Sequence, residues 1–205
     1  MKKFLFLVSC LLSLVSVAHA TVDNRLVAEA ENYLNAITGL SGEFSQTAGG
    51  KKDKGAFSML RPGRVRLDYA TLPVQLISNG KDLYFYDKSL DQITTVPLTS
   101  TPAGILIRKN INLTNADIAV SETSRSADMF SLKMHIKGQE GIGRMIINFS
   151  DNPTALRSWT IIDATGAVVD VTFHDMKTKT DFGKNFFQLQ KMKTASNSGG
   201  DGYYE

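Results

Sequence analysis

The chain has 205 residues, and its 23 lysines and arginines exceed its 20 aspartates and glutamates by three, which gives a formal net charge of +3. So small an excess of positive charge offers no global electrostatic attraction to nucleic acid. The hydrophobic fraction of 42% is enough for one domain with a real core.

The first twenty residues have the layout of a secretory signal peptide. Lys2 and Lys3 precede an apolar run, residues 4–17, which is too short to span a bilayer because that takes about 20 residues. Ala18-His19-Ala20 is a small-residue cleavage site. Cleavage there removes Cys10, the one cysteine, and excludes disulfides and thiolate metal sites from the mature chain. Residues 7–10 also resemble a lipoprotein acylation box, but the apolar region before Cys10 is short for one.

The mature chain begins with a helical pattern and continues as strands. Residues 22–38 carry an apolar stripe at helical spacing, with Asp23 or Asn24 as the cap and Gly39 as the end. A polar loop is expected at residues 48–54. Strands are predicted near residues 42–47, 55–60, 64–69, 74–78, 82–87, 91–96, 118–120, 130–136, 145–149, 159–161, 169–173 and 186–189.

This spacing predicts a mainly β fold. About eleven short strands at hairpin spacing favour a large antiparallel sheet that curls into an incomplete barrel. The N-terminal helix and one short helix are left to cover its mouth. The domain is expected to span residues 21–193, and the Ser/Gly-rich tail, residues 194–205, is expected to be disordered.

An arginine is predicted to point to the apolar side of the sheet. Phe57 and Met59 share a face at period two, and Arg61 falls in phase with them just before the turn at Pro62-Gly63. Further along, Asn79-Gly80 lies between two apolar runs and predicts a hairpin with a type I′ turn, which needs positive φ at two consecutive residues.

A second short helix is predicted over residues 102–109. Thr101 stands at the N-cap and Pro102 in the first turn, the apolar residues Ile105, Leu106 and Ile107 follow, and two cations end the segment. A helix this short is unstable alone, so it must pack on the rest of the domain.

No catalytic constellation is present in the sequence. His135 and His174 are out of phase with the apolar residues of their strands, so both are expected to face solvent on separate strands. Neither a phosphate-binding loop nor a nucleophile motif occurs. We therefore predict no enzymatic activity, no metal site and no cofactor.

The inner face of the predicted sheet is rich in large apolar side chains. A plain core is one interpretation, and a ligand cavity is the other, because so long a curved sheet has too little helix to fill its concave side. The residues expected to line such a cavity are Phe57, Met59, Leu67, Tyr69, Met134, Met145, Ile147, Trp159 and Phe173.

These motifs, in this order, resemble the periplasmic outer-membrane lipoprotein carrier family, LolA. The resemblance is carried by Phe44-Ser45-Gln46, Leu60-Arg61-Pro62-Gly63, residues 75–87 with Gln92, and Thr101-Pro102 with Ile105-Leu106-Ile107. It covers most of the mature chain and is strongest at residues 41–110. The chain departs from the family pattern at Tyr84, where tryptophan is common, and in its tail, which has no obvious extra strand.

The resemblance implies an incomplete barrel whose helices form a lid over an apolar cavity. It implies a periplasmic, monomeric chaperone that takes lipoproteins from an ATP-driven inner-membrane complex, shields their acyl chains, and delivers them to an outer-membrane receptor or to the outer membrane directly. The family's lid-latching arginine corresponds to Arg61, and the lid corresponds to the segment with Pro102, Ile105, Leu106 and Ile107.

Two other functions on the same fold stay open at the level of sequence. A lipid-binding stress regulator like RseB carries a second domain, for which the chain has no room. The acylated receptor LolB would require lipid attachment at Cys10.

Overall fold

The structure is a computed structural model that describes residues 21–114 and 117–189. The predicted leader, residues 1–20, and the predicted tail, residues 194–205, lie outside these ranges. The described residues contain one α-helix, α1 (Asn24–Ala36), and eleven strands. The strands are β1 (Gly39–Ala48), β2 (Lys51–Leu60), β3 (Arg64–Tyr69), β4 (Val74–Asn79), β5 (Asp82–Asp87), β6 (Gln92–Pro97), β7 (Ile118–Arg125), β8 (Met129–Ile136), β9 (Gly143–Asp151), β10 (Thr154–Asp163) and β11 (Val168–Thr178).

The predicted fold class is confirmed. All eleven strands form one antiparallel sheet in the order β6-β5-β4-β3-β2-β1-β11-β10-β9-β8-β7. Two meanders therefore meet at the β1–β11 pair, and β6 and β7 remain as edges, so the barrel is open. Register shifts occur in β1, β7 and β10, and such bulges bend a strand and increase its twist.

Helix α1 fills one half of the concave face. Its buried stripe is Leu26, Val27, Ala30 and Leu34, and it packs against β7, β8 and β10. The backbone N–H of Arg25 donates to the side chain of Asp23, which caps the helix as predicted. Gly39 does not end the helix but begins β1, where a Cβ would lie 2.1 Å from the carbonyl oxygen of Lys179.

The polar loop predicted at residues 48–54 is instead a tight hairpin. Strand β1 runs to Ala48 and β2 starts at Lys51, with Gly49 (φ +54°) and Gly50 (φ +76°) as the two turn residues. Two consecutive positive φ values are the requirement of a type I′ turn. That turn type was predicted for Asn79-Gly80, where Gly80 alone has positive φ and Asn79 ends β4.

The strand predicted at residues 186–189 is absent, and this segment carries an aromatic cluster on the outer face of the sheet. Phe182, Phe186 and Phe187 pack on one another with ring centroids 5.0 Å apart. Arg66 of β3 lies 4.8 Å from the ring of Phe186 and donates to its carbonyl at 2.8 Å. A short apolar run has no periodicity that distinguishes a strand from such a cluster.

Candidate functional site

Residues 98–113, named the cover segment here, lie over the half of the concave face that α1 leaves open. The segment contains two short 3-10 helices, Leu98–Ser100 and Pro102–Ile105, and the second packs on β9 and β10. The lid residues predicted from sequence are all buried in it: Pro102, Ile105, Leu106 and Ile107.

The helix predicted over residues 102–109 ends at Ile105. Thr101 caps it as expected, since its hydroxyl oxygen accepts from the backbone N–H of Gly104 at 3.3 Å. Beyond Ile105, the backbone carbonyls of the segment accept hydrogen bonds from the β2–β3 turn. Arg61 bonds to the carbonyl of Leu106, and the backbone N–H of Gly63 donates to the carbonyl of Ile107 at 2.6 Å.

Arg61 joins the cover segment to α1. Its side chain is buried, and its Nε and Nη2 donate to the carbonyl oxygen of Leu106 at 3.2 and 3.0 Å. Its Nη1 donates to the carbonyl oxygen of Leu34, in the last turn of α1. The Leu34 carbonyl also accepts from the backbone N–H of Ile37 at 3.4 Å, and a carbonyl in the last turn of a helix keeps acceptor capacity for such a donor. The structure thus places Arg61 on the inner side, in the phase that the alternation predicts.

The charge of Arg61 is held by dipoles rather than by an anion. Burial lowers the pKa of its guanidinium to about 10, so the group stays protonated at neutral pH. Within the described ranges, its hydrogen-bond partners are backbone carbonyls, and no carboxylate pairs with it. Such a contact can be broken without leaving a buried carboxylate behind.

The turn that presents Arg61 is held from two sides. The backbone N–H of Arg61 donates to the carbonyl of Thr38 at 2.9 Å. Gly63 has φ +72°, and a Cβ there would lie 2.5 Å from the Cα of Gly80, so the β2–β3 turn rests directly on the β4–β5 turn. Only glycine combines this φ with so close an approach.

Two side chains of α1 also hold the cover segment, and the sequence reading missed them. The Asn35 side chain accepts from the backbone N–H of Ile111 at 2.9 Å and donates to its carbonyl at 2.8 Å. Glu31, one turn earlier, accepts from the backbone N–H of Leu113 at 2.7 Å. Their spacing on one helix face was visible, but the backbone groups they meet lie about 80 residues away in the chain.

An apolar cavity of about 420 Å³ lies between the cover segment and the sheet. This volume falls in the range of about 300–1,000 Å³ found for small-molecule sites. Five of the predicted lining residues line it: Phe57, Met59, Leu67, Tyr69 and Trp159. The lining also includes residues that the prediction omitted, among them Leu76, Leu83, Ile161, Val169 and Val171.

Four of the predicted lining residues lie in the filled half of the barrel instead. Met134, Met145 and Ile147 are fully buried on β8 and β9, in the hydrophobic core. Phe173 packs behind the cavity wall, with its ring 4.8 Å from that of Phe57 and 4.7 Å from that of Trp159. Their phase on the strands is inward, but phase alone does not decide which inward residues meet the cavity.

The polar groups of the cavity wall differ in their hydrogen bonds. Burial raises the pKa of Tyr69, whose hydroxyl donates to the side-chain oxygen of Gln46 at 2.8 Å. Trp159 is 8% exposed, and its indole Nε1 has no hydrogen-bond partner. Within the described ranges, it is the only buried side-chain nitrogen or oxygen in that state.

The two histidines lie apart from this cavity. His174 is exposed, with Nε2 2.9 Å from the hydroxyl of Ser45, and the Nε2 of His135 lies 3.7 Å from the carboxylate of Glu140. In the described part of the chain, no three His, Cys, Asp or Glu side chains are grouped so that they could hold a metal ion. None of the helices described there is long and apolar enough to cross a membrane.

The family model for "Outer membrane lipoprotein carrier protein LolA" matches residues 35–190, which is more than half of the chain. An outer-membrane lipoprotein carrier protein of Francisella philomiragia is 28% identical over 202 residues, covering 93% of this chain and 94% of that protein. A carrier of the same description from Histophilus somni is 36% identical over 121 residues, covering 54% and 58%.

Solved structures resemble the chain more distantly. A LolA superfamily protein from Nitrosomonas europaea has 13% identity and a TM-score of 0.39, over 81% of this chain and 98% of that one. This likeness carries no functional information. The carriers that match in sequence are non-enzymatic, in agreement with the prediction that this chain is not an enzyme. The match over residues 35–190 is decisive: the chain belongs to the outer-membrane lipoprotein carrier family, LolA.

Proposed function

We propose that this protein is a periplasmic chaperone that shields the acyl chains of lipoproteins and carries them from the inner to the outer membrane. The observation that carries the proposal is the apolar cavity of about 420 Å³ beneath a cover segment that Arg61 holds to α1 through backbone carbonyls. Its acceptor would be an outer-membrane receptor or the outer membrane itself, and its donor an ATP-driven inner-membrane complex.

The energetics of acyl-chain burial explain why a carrier needs such a cover. Burying one methylene is worth about 0.8 kcal/mol, so roughly fifteen would contribute about 12 kcal/mol before ordering costs. That corresponds to a nanomolar dissociation constant, which is too tight for ready hand-over. Closure of the cover segment onto Arg61 competes with bound chains, and thereby lowers the net affinity.

The proposed sites follow from the same geometry. Arg61 acts as the latch, and Pro102, Ile105, Leu106 and Ile107 supply the buried side of the lid. Phe57, Met59, Leu67, Tyr69 and Trp159 contact the acyl chains, and Met134, Met145, Ile147 and Phe173 support the wall from the core. The lid carries no charged group toward the cavity, which suits a hydrocarbon ligand.

The test is purification from periplasm followed by mass spectrometry and a transfer assay. We expect a mature N-terminus after Ala20, co-purifying lipoproteins, and transfer of labelled lipoprotein to outer-membrane vesicles. A polarity-sensitive dye should bind the folded protein and be displaced by lipoprotein. Dye binding seen only on unfolding would contradict the proposal, and a lipid-modified N-terminus at Cys10 would favour the receptor function.

A further inference from the structure

Four of the five large apolar side chains that are exposed in the described ranges lie at one end of the sheet. They are Leu72 (49% exposed), Phe85 (43%), Leu90 (64%) and Val168 (44%). Leu72 and Leu90 occupy the β3–β4 and β5–β6 turns, and Val168 follows the β10–β11 turn. Single exposed apolar residues are ordinary, but a group of them at one end of a sheet indicates a contact surface.

The strand order places these turns side by side. Because neighbouring strands are antiparallel, the β5–β6, β3–β4, β1–β2 and β10–β11 turns follow one another along one end of the sheet, named the rim here. The rim comprises residues 49–54, 70–73, 87–91 and 163–170. Strands lie about 4.8 Å apart, so successive turns are roughly 10 Å apart along the sheet.

The spacing of the apolar tips favours a lipid surface over a protein surface. The residues on either side of Leu72 and Leu90 are exposed as well, so the tips do not merge into one apolar patch. A protein partner buries a continuous core within a polar border. A bilayer interface accepts separate apolar side chains, each of which adds its own buried area.

The apolar cavity extends to the rim. Its lining includes Tyr69, the last residue of β3, Asp163, the last residue of β10, and Val169, the second residue of β11. Phe85 belongs both to the cavity lining and to the exposed group. Arg61 follows the opposite end of β2, so the latch and the rim lie at different ends of the sheet.

The rim has no strong charge of either sign. It contains four lysines and five aspartates. Asp87 and Asp163 accept hydrogen bonds from backbone N–H groups of their own turns, which ties these carboxylates to the protein. An electrostatic attraction to anionic lipid, which needs a cluster of cations, is therefore absent from the rim. Its apolar side chains are left to make the contact.

We propose that the rim is a membrane-contact surface, at which Leu72, Leu90 and Val168 enter the headgroup region of a bilayer without net charge. The inference deepens the proposed function and rests on it for its role in delivery, since a cavity that meets the bilayer passes an acyl chain to it with little exposure to water. Because the contact is apolar, it should be reversible and insensitive to salt.

The first measurement is flotation of the cargo-free protein, purified from periplasm, with vesicles of phosphatidylcholine and phosphatidylethanolamine. We expect equal binding at low and at high salt. The double variant Leu72→Ser, Leu90→Ser should bind about tenfold more weakly. Val22→Ser is the matched control, because it removes the fifth exposed apolar side chain, beside Asp23, whose N–H bonds to Thr123 on the edge strand β7. It should bind like the wild type.

The second measurement gives the orientation on the vesicle. The one cysteine, Cys10, lies in the predicted leader, so single cysteines can be introduced into the mature chain and labelled with a polarity-sensitive fluorophore. The label at Ala164→Cys, in the β10–β11 turn, should shift its emission to the blue when vesicles are added. The label at Ala127→Cys, in the β7–β8 turn at the opposite end of the sheet, should not.

Four results would overturn the membrane contact. They are absent vesicle binding, binding that requires anionic lipid and is lost in salt, unchanged affinity in the double variant, and a blue shift at both labels. A concentration-dependent dimer that the double variant abolishes would also overturn it, because a second copy would then occupy the rim. Vesicle binding without dye binding in the cavity would contradict the carrier function and leave the membrane contact supported.

Discussion

At the scale of single residues, Arg61 combines burial, a permanent charge and neutral partners. Its fork of donors spans two carbonyls that belong to different covering elements, Leu34 in α1 and Leu106 in the cover segment. A guanidinium suits this task because it presents five donors in a rigid plane, whereas an ammonium is a point charge. The residue can therefore hold both elements at once and still release them.

Replacing Arg61 by leucine should separate uptake from release. Each charge-assisted hydrogen bond is worth about 1.5–3 kcal/mol, so its loss shifts opening of the cover segment by roughly ten- to a hundredfold. Uptake should survive, release should fail, and the variant should accumulate in periplasm as a complex with lipoprotein. Arg61→Lys should be intermediate. Pulse labelling followed by co-purification from periplasm measures uptake, and transfer of the label to outer membranes measures release.

The matched control is Arg64→Leu, which removes an arginine three residues away on the outer face, where it lies 5.9 Å from the ring of Phe187. This variant should transfer cargo like the wild type. If Arg61→Leu also transfers at the wild-type rate, Arg61 is a turn residue and the latch hypothesis is wrong.

At the scale of elements, the β2–β3 turn positions the latch because it is pressed against the β4–β5 turn. Gly63 provides both the positive φ and the space that this contact needs, and its N–H also holds the carbonyl of Ile107. Gly138 has nearly the same φ, +73°, but a Cβ there would meet nothing within 4 Å. A substitution at Gly138 therefore measures the cost of backbone strain alone, and the same substitution at Gly63 adds the cost of the steric contact.

We expect Gly63→Ala to destabilise the protein more than Gly138→Ala. Alanine at positive φ costs roughly 1–2 kcal/mol at either position. At Gly63 the new methyl group must also displace the backbone of Gly80, which weakens the bond to Ile107 and loosens the cover segment. Urea unfolding gives the free energy of unfolding of each variant, and dye binding reports how firmly the cover segment stays closed. Equal losses for the two variants would show that the turn contact is not tight.

At the scale of the whole molecule, the aromatic cluster at residues 182–187 covers part of the outer face of the sheet. Arg66 connects Asp68, which it bonds at 2.6 Å, with the carbonyl and ring of Phe186. Gln75 donates to the same carboxylate at 2.5 Å. Beneath this layer, Ile77 is completely buried on the outer face of β4. The sheet thus has apolar side chains buried on both of its faces at β3 and β4.

We expect acid to weaken these contacts on the outer face, because protonation of Asp68 weakens its bonds to Arg66 and Gln75. Burial opposes its charged form, but the hydrogen bonds of Arg66 and Gln75 prevail and lower the pKa of Asp68 below its ordinary value of 3.8. Because the folded-state pKa is depressed, the stabilisation is complete above the unfolded-state pKa and is lost as pH falls through the folded-state value. Asp68→Asn should be less stable than the wild type at neutral pH by about 1 kcal/mol.

Urea unfolding from neutral to acidic pH measures the difference between wild type and Asp68→Asn. The difference should shrink to nothing once Asp68 is protonated in the folded protein. Arg66→Gln should lower stability at neutral pH, and in that background Asp68→Asn should have little further effect. An unchanged difference at low pH would show that the carboxylate is not the group that holds the closure.

The local pattern of the sequence determined much of this protein. Alternation at period two predicted all eleven strands, each with at least one end within two residues of its position in the structure. It also placed Arg61 on the inner side beside Phe57 and Met59. These properties depend on neighbours in the chain, because side-chain direction repeats every two residues in a strand. The helix caps at Asp23 and Thr101 are local as well, because each joins a side chain to a backbone N–H two or three residues away.

The tertiary structure alone decided where the inner face is filled and where it is hollow. Met134 and Trp159 have the same inward phase, but the first is fully buried in the core and the second lines the cavity. The contacts that close the molecule join residues 45 apart for Arg61 and Leu106 and 120 apart for Arg66 and Phe186. Periodicity carries no information over such separations, since these contacts form only when the sheet has curled and its covering segments compete for the same surface.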